Sequence, residues 1–270
     1  MNAFAHPWTR AGGRGRCRHV GIHTYNLPPT ATRIAMKTDT EWGYVGEEGP
    51  THWADLSNEF CACGGDRQSP IDLPVHAAAE ETLALSIDYT KADGTLSYSS
   101  YGVKMQLKGG TLTLDGTTYE LVQFHFHTPS EHQIGGRSFP GEMHLVHVSE
   151  SGHLVVIGIF LENGKTNSTL APIWSTFPEV ETAPPIPFDP SDLLPPSRTG
   201  YVYEGSLTTP PCTEDVTWLV LSEPLYLSDV QIEKLAAVHA EINVHNSRPV
   251  QPVNDRHVRF VSLHPAPRLA

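Results

Sequence analysis

The chain has 270 residues, 39% hydrophobic and 18% charged, with a mean hydropathy of −0.26; this suits a globular protein able to bury a sizeable core. Its formal charge of −12 argues against nucleic acid or an anionic membrane as the main partner, and no run approaches the roughly 18 apolar residues of a membrane span. The 23 Pro and 22 Gly favour turns and short strands over long helices.

Residues 1–38 lack Asp and Glu but carry Arg10, Arg14, Arg16, Arg18, Arg33 and Lys37, so 12 basic residues face 30 acidic ones over 39–270, a charge of −18. No continuous apolar core marks this leader as a secretory signal. It reads as a disordered extension, with Met36 as an alternative start and a transit peptide as the competing reading. From 41 to 70 Gly, Cys and aromatics dominate without periodicity, which predicts packed irregular coil. Strand-like runs follow at 82–89, 96–98, 104–107, 111–114, 119–128, 142–150, 153–162, 200–205 and 216–222. Asp115-Gly116 and Ser151-Gly152 are hairpin turn signals. The run 154–160 is almost wholly apolar, which predicts a strand covered on both faces. Ser228 and Gln231 form a capping box for a helix in which Ile232, Leu235, Ala236, His239 and Ile242 keep helical spacing. A weaker helix is predicted over 169–177. The Pro-rich stretch 179–197 resembles a linker, but one inside a single domain. The fold class is mainly β (α+β by element count), with a few short helices.

Gln123-Phe124-His125-Phe126-His127 lies in a strand-like run, where side chains two apart share a face. Gln123, His125 and His127 therefore face one way, and Val122, Phe124 and Phe126 the other. Glu142, His144 and Val146 share a face of a later run, and Met143, Leu145 and His147 its reverse. A hairpin or a neighbouring strand would bring His144 to one ion with His125 and His127. Three neutral imidazoles leave a tetrahedral zinc site open at its fourth position, the catalytic pattern. Gln123 and Glu142 each sit two residues from a ligand, placed to accept the ligand's other ring N–H. Alternating His on a solvated strand face is the bland alternative, and a cupin-type iron site using His125, His127, Glu131 and His144 is a second.

With these motifs the sequence resembles the alpha-class carbonic anhydrases, in their bacterial and algal branch. The resemblance spans 42–260. It is carried by Trp42-Gly43-Tyr44, Gly49-Pro50-Thr51-His52-Trp53, Arg67-Gln68-Ser69-Pro70-Ile71-Asp72, Gln123 to His127, Ser130-Glu131-His132, Glu142-Met143-His144-Leu145-Val146-His147, Ser206-Leu207-Thr208-Thr209-Pro210-Pro211, Val216-Thr217-Trp218 and Asn246-Ser247-Arg248-Pro249. It implies a large, twisted, mostly antiparallel sheet with short flanking helices, and a catalytic domain over 39–265. It implies Zn2+ on His125, His127 and His144, with Gln123, Glu142 and Asn246 behind those ligands. A zinc-bound hydroxide would attack CO2 to give bicarbonate and a proton, oriented by Thr208 and, through it, by Glu131. The substrate pocket would comprise Val146, Val156, Leu207, Thr209, Trp218 and Gln106, with Val216 as a further candidate. His132 and His147 are expected to be structural. Val103 stands where many relatives carry a proton-shuttling His, which predicts buffer-dependent turnover, with His52 and Glu47 as substitutes. The alternative function is a non-catalytic binding or storage protein on the same scaffold.

By the same resemblance Cys63 is the expected disulfide partner of Cys212, with Cys61 as alternative and a Cys61/Cys63 metal clip as rival. A disulfide favours an oxidising, periplasmic or secreted location. Translation from Met36 would instead favour the cytoplasm, and a transit peptide an organelle. CO2 and bicarbonate are the expected ligands, anions and sulfonamides the expected inhibitors, and a homodimer is admitted.

Overall fold

Most of the strand-like runs in the sequence fold as strands of one large sheet. The computed structural model describes residues 40–75, 81–99, 102–176, 184–196, 199–242 and 245–264; the leader 1–38, with Met36 and Cys17, lies outside them. The described strands are β1 (Asp72–Leu73), β2 (Glu81–Tyr89), β3 (Ala92–Ser99), β4 (Gly102–Gln106), β5 (Gly110–Leu114), β6 (Thr117–His127) and β7 (Gln133–Ile134). They continue as β8 (Gly141–Ser149), β9 (Leu154–Asn163), β10 (Ile186–Phe188), β11 (Thr199–Ser206), β12 (Glu214–Leu227) and β13 (Arg259–His264). Among the described residues three α-helices accompany them: α1 (Trp53–Leu56), α2 (Ala171–Thr176) and α3 (Asp229–Ile242).

β1 and β7 form a small parallel pair, and the other strands make one sheet in the order β10-β3-β4-β6-β5-β2-β13-β11-β12-β9-β8. Every pairing in that sheet is antiparallel except β9 with β12 and β2 with β13. β6 is shared by three neighbours. One edge pairs with β8 over 119–127; the other meets β5 over 117–120 and β4 over 123–125. The described residues belong to one compact unit.

Apolar side chains cover both faces of the sheet. Phe124, Phe126, Met143 and Leu145 join one core, and Val146, Phe160, Tyr203 and Trp218 the other. β9 divides between them, sending Val155, Ile157 and Ile159 one way and Val156 and Phe160 the other. That is why its sequence is nearly all apolar. The α3 capping box is present: the Ser228 amide donates to Gln231 Oε1 at 3.2 Å, and the Gln231 amide to Ser228 Oγ at 3.4 Å.

Four departures from the sequence reading have physical causes. A bulge between Leu121 and Gln123 breaks strict alternation, so Val122 packs with the second core while Phe124 and Phe126 fill the first. β10 lies within the expected linker; its Pro187 is tolerated because β10 is an edge strand. β13, a short run of mixed polarity, gains its hydrogen bonds from β2 and β11 on either side. α2 begins at Ala171, inside the predicted 169–177, and residue 177 lies outside the described residues.

Cys63 and Cys212 form a disulfide across 149 residues of sequence, pinning the early coil to the loop between β11 and β12. Cys63 is therefore the partner of Cys212, and the Cys61 alternative and the Cys61/Cys63 clip both fall away. The bridge is buried with Tyr44, Trp53 and Phe60.

Candidate metal centre

The register between β6 and β8 sets His125 directly opposite His144, and His127 follows two residues along the same face. Ring centroids lie 5.0 Å apart for His125–His127, 5.2 Å for His125–His144 and 4.5 Å for His127–His144. One nitrogen from each ring lies within 4.8 Å of the others. His127 and His144 are buried, whereas His125 keeps partial exposure and marks the open side.

The second nitrogen of each ring is already committed. His125 Nδ1 donates to Gln123 Oε1 at 2.8 Å, His127 Nδ1 to the Asn246 carbonyl at 2.7 Å, and His144 Nε2 to Glu142 Oε1 at 2.9 Å. Those bonds fix the tautomers and leave lone pairs on His125 Nε2, His127 Nε2 and His144 Nδ1. His127 Nε2 is buried with no hydrogen-bond partner among the described residues. Such a group costs about 1–3 kcal/mol unless something binds it. A cation accepting three neutral nitrogens fits, and an open fourth position follows from the ligand count.

The electrostatics agree. Burial pushes His127 down to about 4 and lowers His144; His125 is held well below its usual range by burial and then by its two His neighbours. All three rings are thus kept neutral, the form that binds metal.

Glu142 is fully buried and accepts four hydrogen bonds. Oε2 takes the amides of Glu131 (2.9 Å) and His132 (2.8 Å); Oε1 takes His132 Nδ1 (2.7 Å) and His144 Nε2 (2.9 Å). Burial alone would raise its pKa, but His132 and His144 outweigh that and hold it well below normal. His132, Glu142 and His144 could themselves resemble a metal site. They are not arranged as one: His132 Nε2 is taken by the Tyr203 hydroxyl at 2.6 Å, so both its nitrogens are used. His147 is on the reverse face as expected, hydrogen-bonded to Tyr89. Asn246 supports His127 through its backbone carbonyl; its side chain clamps the end of β6 at Phe126 and Thr128.

Glu131 Oε2 stands 3.5 Å from His127 Nε2 and 3.9 Å from His144 Nδ1, while Oε1 accepts the Arg248 amide at 2.9 Å. Burial raises its pKa to about 7; His144, the Arg248 amide and the Thr208 side chain pull against that rise. Oε2 has no hydrogen-bond partner among the described residues. A bound dication would favour the carboxylate. Thr208 is itself buried on the β11–β12 loop, followed by half-buried Thr209 and the cis Pro210–Pro211 bond.

Val146, Val156, Val216 and Trp218 belong to the second core, and Leu207 packs against it, on the side that holds His144. Val122 joins this wall through the bulge; the parity reading had put it on the opposite face. Gln106 is exposed and pairs across from Gln123. Val103, by contrast, is 2% exposed and sits in the first core. The next residue, Lys104, is the one opposite His125.

Arg248, which follows Asn246-Ser247 in sequence, ties the parts together. Its guanidinium donates to Gln68 Oε1 (2.9 Å) and to the carbonyls of Ser69 (2.8 Å) and Cys63 (2.9 Å), stacked 5.3 Å from Trp53. Burial lowers its pKa to about 10. The Asn246-Ser247-Arg248-Pro249 motif is the signal in sequence that marks it.

A three-imidazole centre on one face of a large β-sheet, with each ring braced from behind, defines a metal-dependent catalyst. The model of the eukaryotic-type carbonic anhydrase family matches residues 48–262. The carbonic anhydrase of Neisseria gonorrhoeae is 41% identical over 223 residues, covering 80% of this chain and 86% of the relative. That of Nostoc is 39% identical over 239 residues, covering 83% and 88%. Among solved structures, the Thermovibrio ammonificans alpha-carbonic anhydrase with the inhibitor sulfanilamide aligns at TM-score 0.77 and 40% identity, over 83% of this chain and 99% of that one. Dioscorin complexed with ascorbate aligns with the same score and coverage at 30% identity. The chain belongs to the carbonic anhydrase family and is an enzyme, a carbonate dehydratase. That membership overturns the cupin-type alternative.

Proposed function

We propose that the protein carries out zinc-dependent, reversible hydration of CO2 to bicarbonate and a proton, with residues 39–265 as the catalytic domain. The observation that carries this reading is the buried, unpartnered His127 Nε2 beside the free nitrogens of His125 and His144. Zinc there would lower the pKa of a coordinated water and so supply hydroxide near neutral pH, chemistry for which carbonic anhydrases are the standard example. His125 Nε2, His127 Nε2 and His144 Nδ1 would hold the ion. Gln123, the Asn246 carbonyl and Glu142 keep those nitrogens unprotonated by engaging the opposite side of each ring. The Thr208 hydroxyl would accept a hydrogen bond from the nucleophile's O–H and donate one to the Glu131 carboxylate, an arrangement that orients the nucleophile. Val122, Val146, Val156, Leu207 and Trp218 offer CO2, an apolar molecule, an apolar wall. Thr209 and Gln106 supply the polar side. The Thermovibrio enzyme's sulfanilamide complex supports sulfonamides as inhibitors.

A binding role on the same scaffold is the competing reading, since dioscorin, solved in complex with ascorbate, shares the fold. The intact three-imidazole set weighs against it. The Cys63–Cys212 disulfide supports an oxidising, exported location over the cytoplasm or an organelle.

Stopped-flow CO2 hydration on protein of measured zinc content is the test. Acceleration that disappears with a chelator and returns with zinc is expected. Fully zinc-loaded, folded protein with no acceleration would overturn the reading.

A further inference from the structure

Lys104 is a basic residue on the wall beside the three imidazoles. It is half-buried on β4, directly across the ladder from His125, and therefore on the face that carries the three imidazoles. Among the described residues no carboxylate pairs with its ammonium, and its own titration is shifted by burial alone. Burial lowers its pKa from the ordinary 10.5.

This placement is unfavourable for a merely structural lysine. A partly desolvated cation normally brings an acidic partner. Here it stands beside a site built to hold another cation, so it raises the local positive potential further. Apart from solvent, the countercharge open to it is an anion in the cleft. The domain around it carries −18, a field that by itself repels anions. Gln106, two residues along the same face and exposed, adds an amide donor beside the charge.

We propose that Lys104 sets the affinity of the cleft for small monoanions, bicarbonate foremost, by holding a positive charge on the wall opposite His125. The inference rests on the function proposed above. Bicarbonate is both product and, in the reverse direction, substrate, so the charge tunes how tightly it is retained. CO2 is neutral and gains little from it. Lys104 is thus a specificity-determining residue that acts through its field.

The experiment uses zinc-loaded wild type, Lys104→Met and Lys104→Arg, with thiocyanate and azide as calorimetric probes. Zinc content, melting temperature and wild-type CO2 hydration are read first. Lys104→Met is expected to weaken both anions about three- to tenfold, as one unit charge several ångströms away does at an effective dielectric between water and a protein surface. Lys104→Arg should restore affinity to within about twofold, and the gap should narrow as ionic strength rises. The KM for bicarbonate should rise with the anion dissociation constants. Folded, zinc-loaded, active protein whose anion affinity is the same in all three forms overturns this inference alone. Wild type that neither holds zinc nor hydrates CO2 overturns the proposed function and this inference with it.

Discussion

Replacing Glu142 by Gln exchanges one carboxylate oxygen for an NH2 and should uncouple metal affinity from fold. In the native protein four donors converge on the carboxylate: the Glu131 and His132 amides on Oε2, and the His132 and His144 rings on Oε1. Gln offers one acceptor oxygen and one donor NH2. If the oxygen keeps the two backbone amides, the NH2 faces two ring N–H groups. His132 can answer by moving its proton to Nε2, provided the Tyr203 hydroxyl beside it, and Ser69 beyond, reverse their donor directions. His144 has no such freedom, because its Nδ1 lone pair is the one aimed at the metal site. One buried donor–donor conflict therefore remains, at about 1–3 kcal/mol. Loss of a partner behind a ligand lowers metal affinity about 10- to 100-fold. Zinc affinity should be measured by chelator competition, beside a thermal melt of the metal-free form. The expected outcome is zinc binding weakened at least tenfold, with hydration falling in step and recovering in excess zinc. Zinc affinity within twofold of wild type would refute the reasoning, since it would mean that His144 does not depend on Glu142 for its tautomer.

Four further outcomes are expected. The double variant Cys63→Ser/Cys212→Ser releases a cross-link spanning 149 residues. Such bridges contribute about 2–4 kcal/mol, so calorimetry should show melting about 5–15 °C lower, and an unchanged midpoint would count against the bridge. Arg248→Met leaves the Gln68 side chain and the Ser69 and Cys63 carbonyls without their donor, and urea unfolding should register a loss of more than about 3 kcal/mol. Thr208→Ala should lower kcat/KM for CO2 about 100-fold with zinc content intact; equal loss of zinc would assign Thr208 to structure instead. Because Val103 is packed into the core and cannot carry a proton, hydration at saturating CO2 should climb several-fold with buffer concentration before levelling. A rate flat in buffer would sink that expectation.

What the sequence determined follows from short-range rules. The spacing of Gln123, His125 and His127, and of Glu142 and His144, is chemistry written at strand period, and strand geometry makes it legible without a fold. The all-apolar β9 and the Ser228–Gln231 cap were legible for the same reason. Tertiary structure decided whatever depended on partners distant in sequence. Val122 faces the metal site only because β8 pairs with β6 across a bulge, which no count along one strand reveals. Asn246 braces His127 with its carbonyl, a group that every residue possesses and that carries no sequence signal. The choice of Cys63 over Cys61, the role of Arg248 and the position of Lys104 opposite His125 likewise rest on contacts and pairings between distant segments. Local pattern fixes which side chains share a face, but only the register between strands fixes which faces meet.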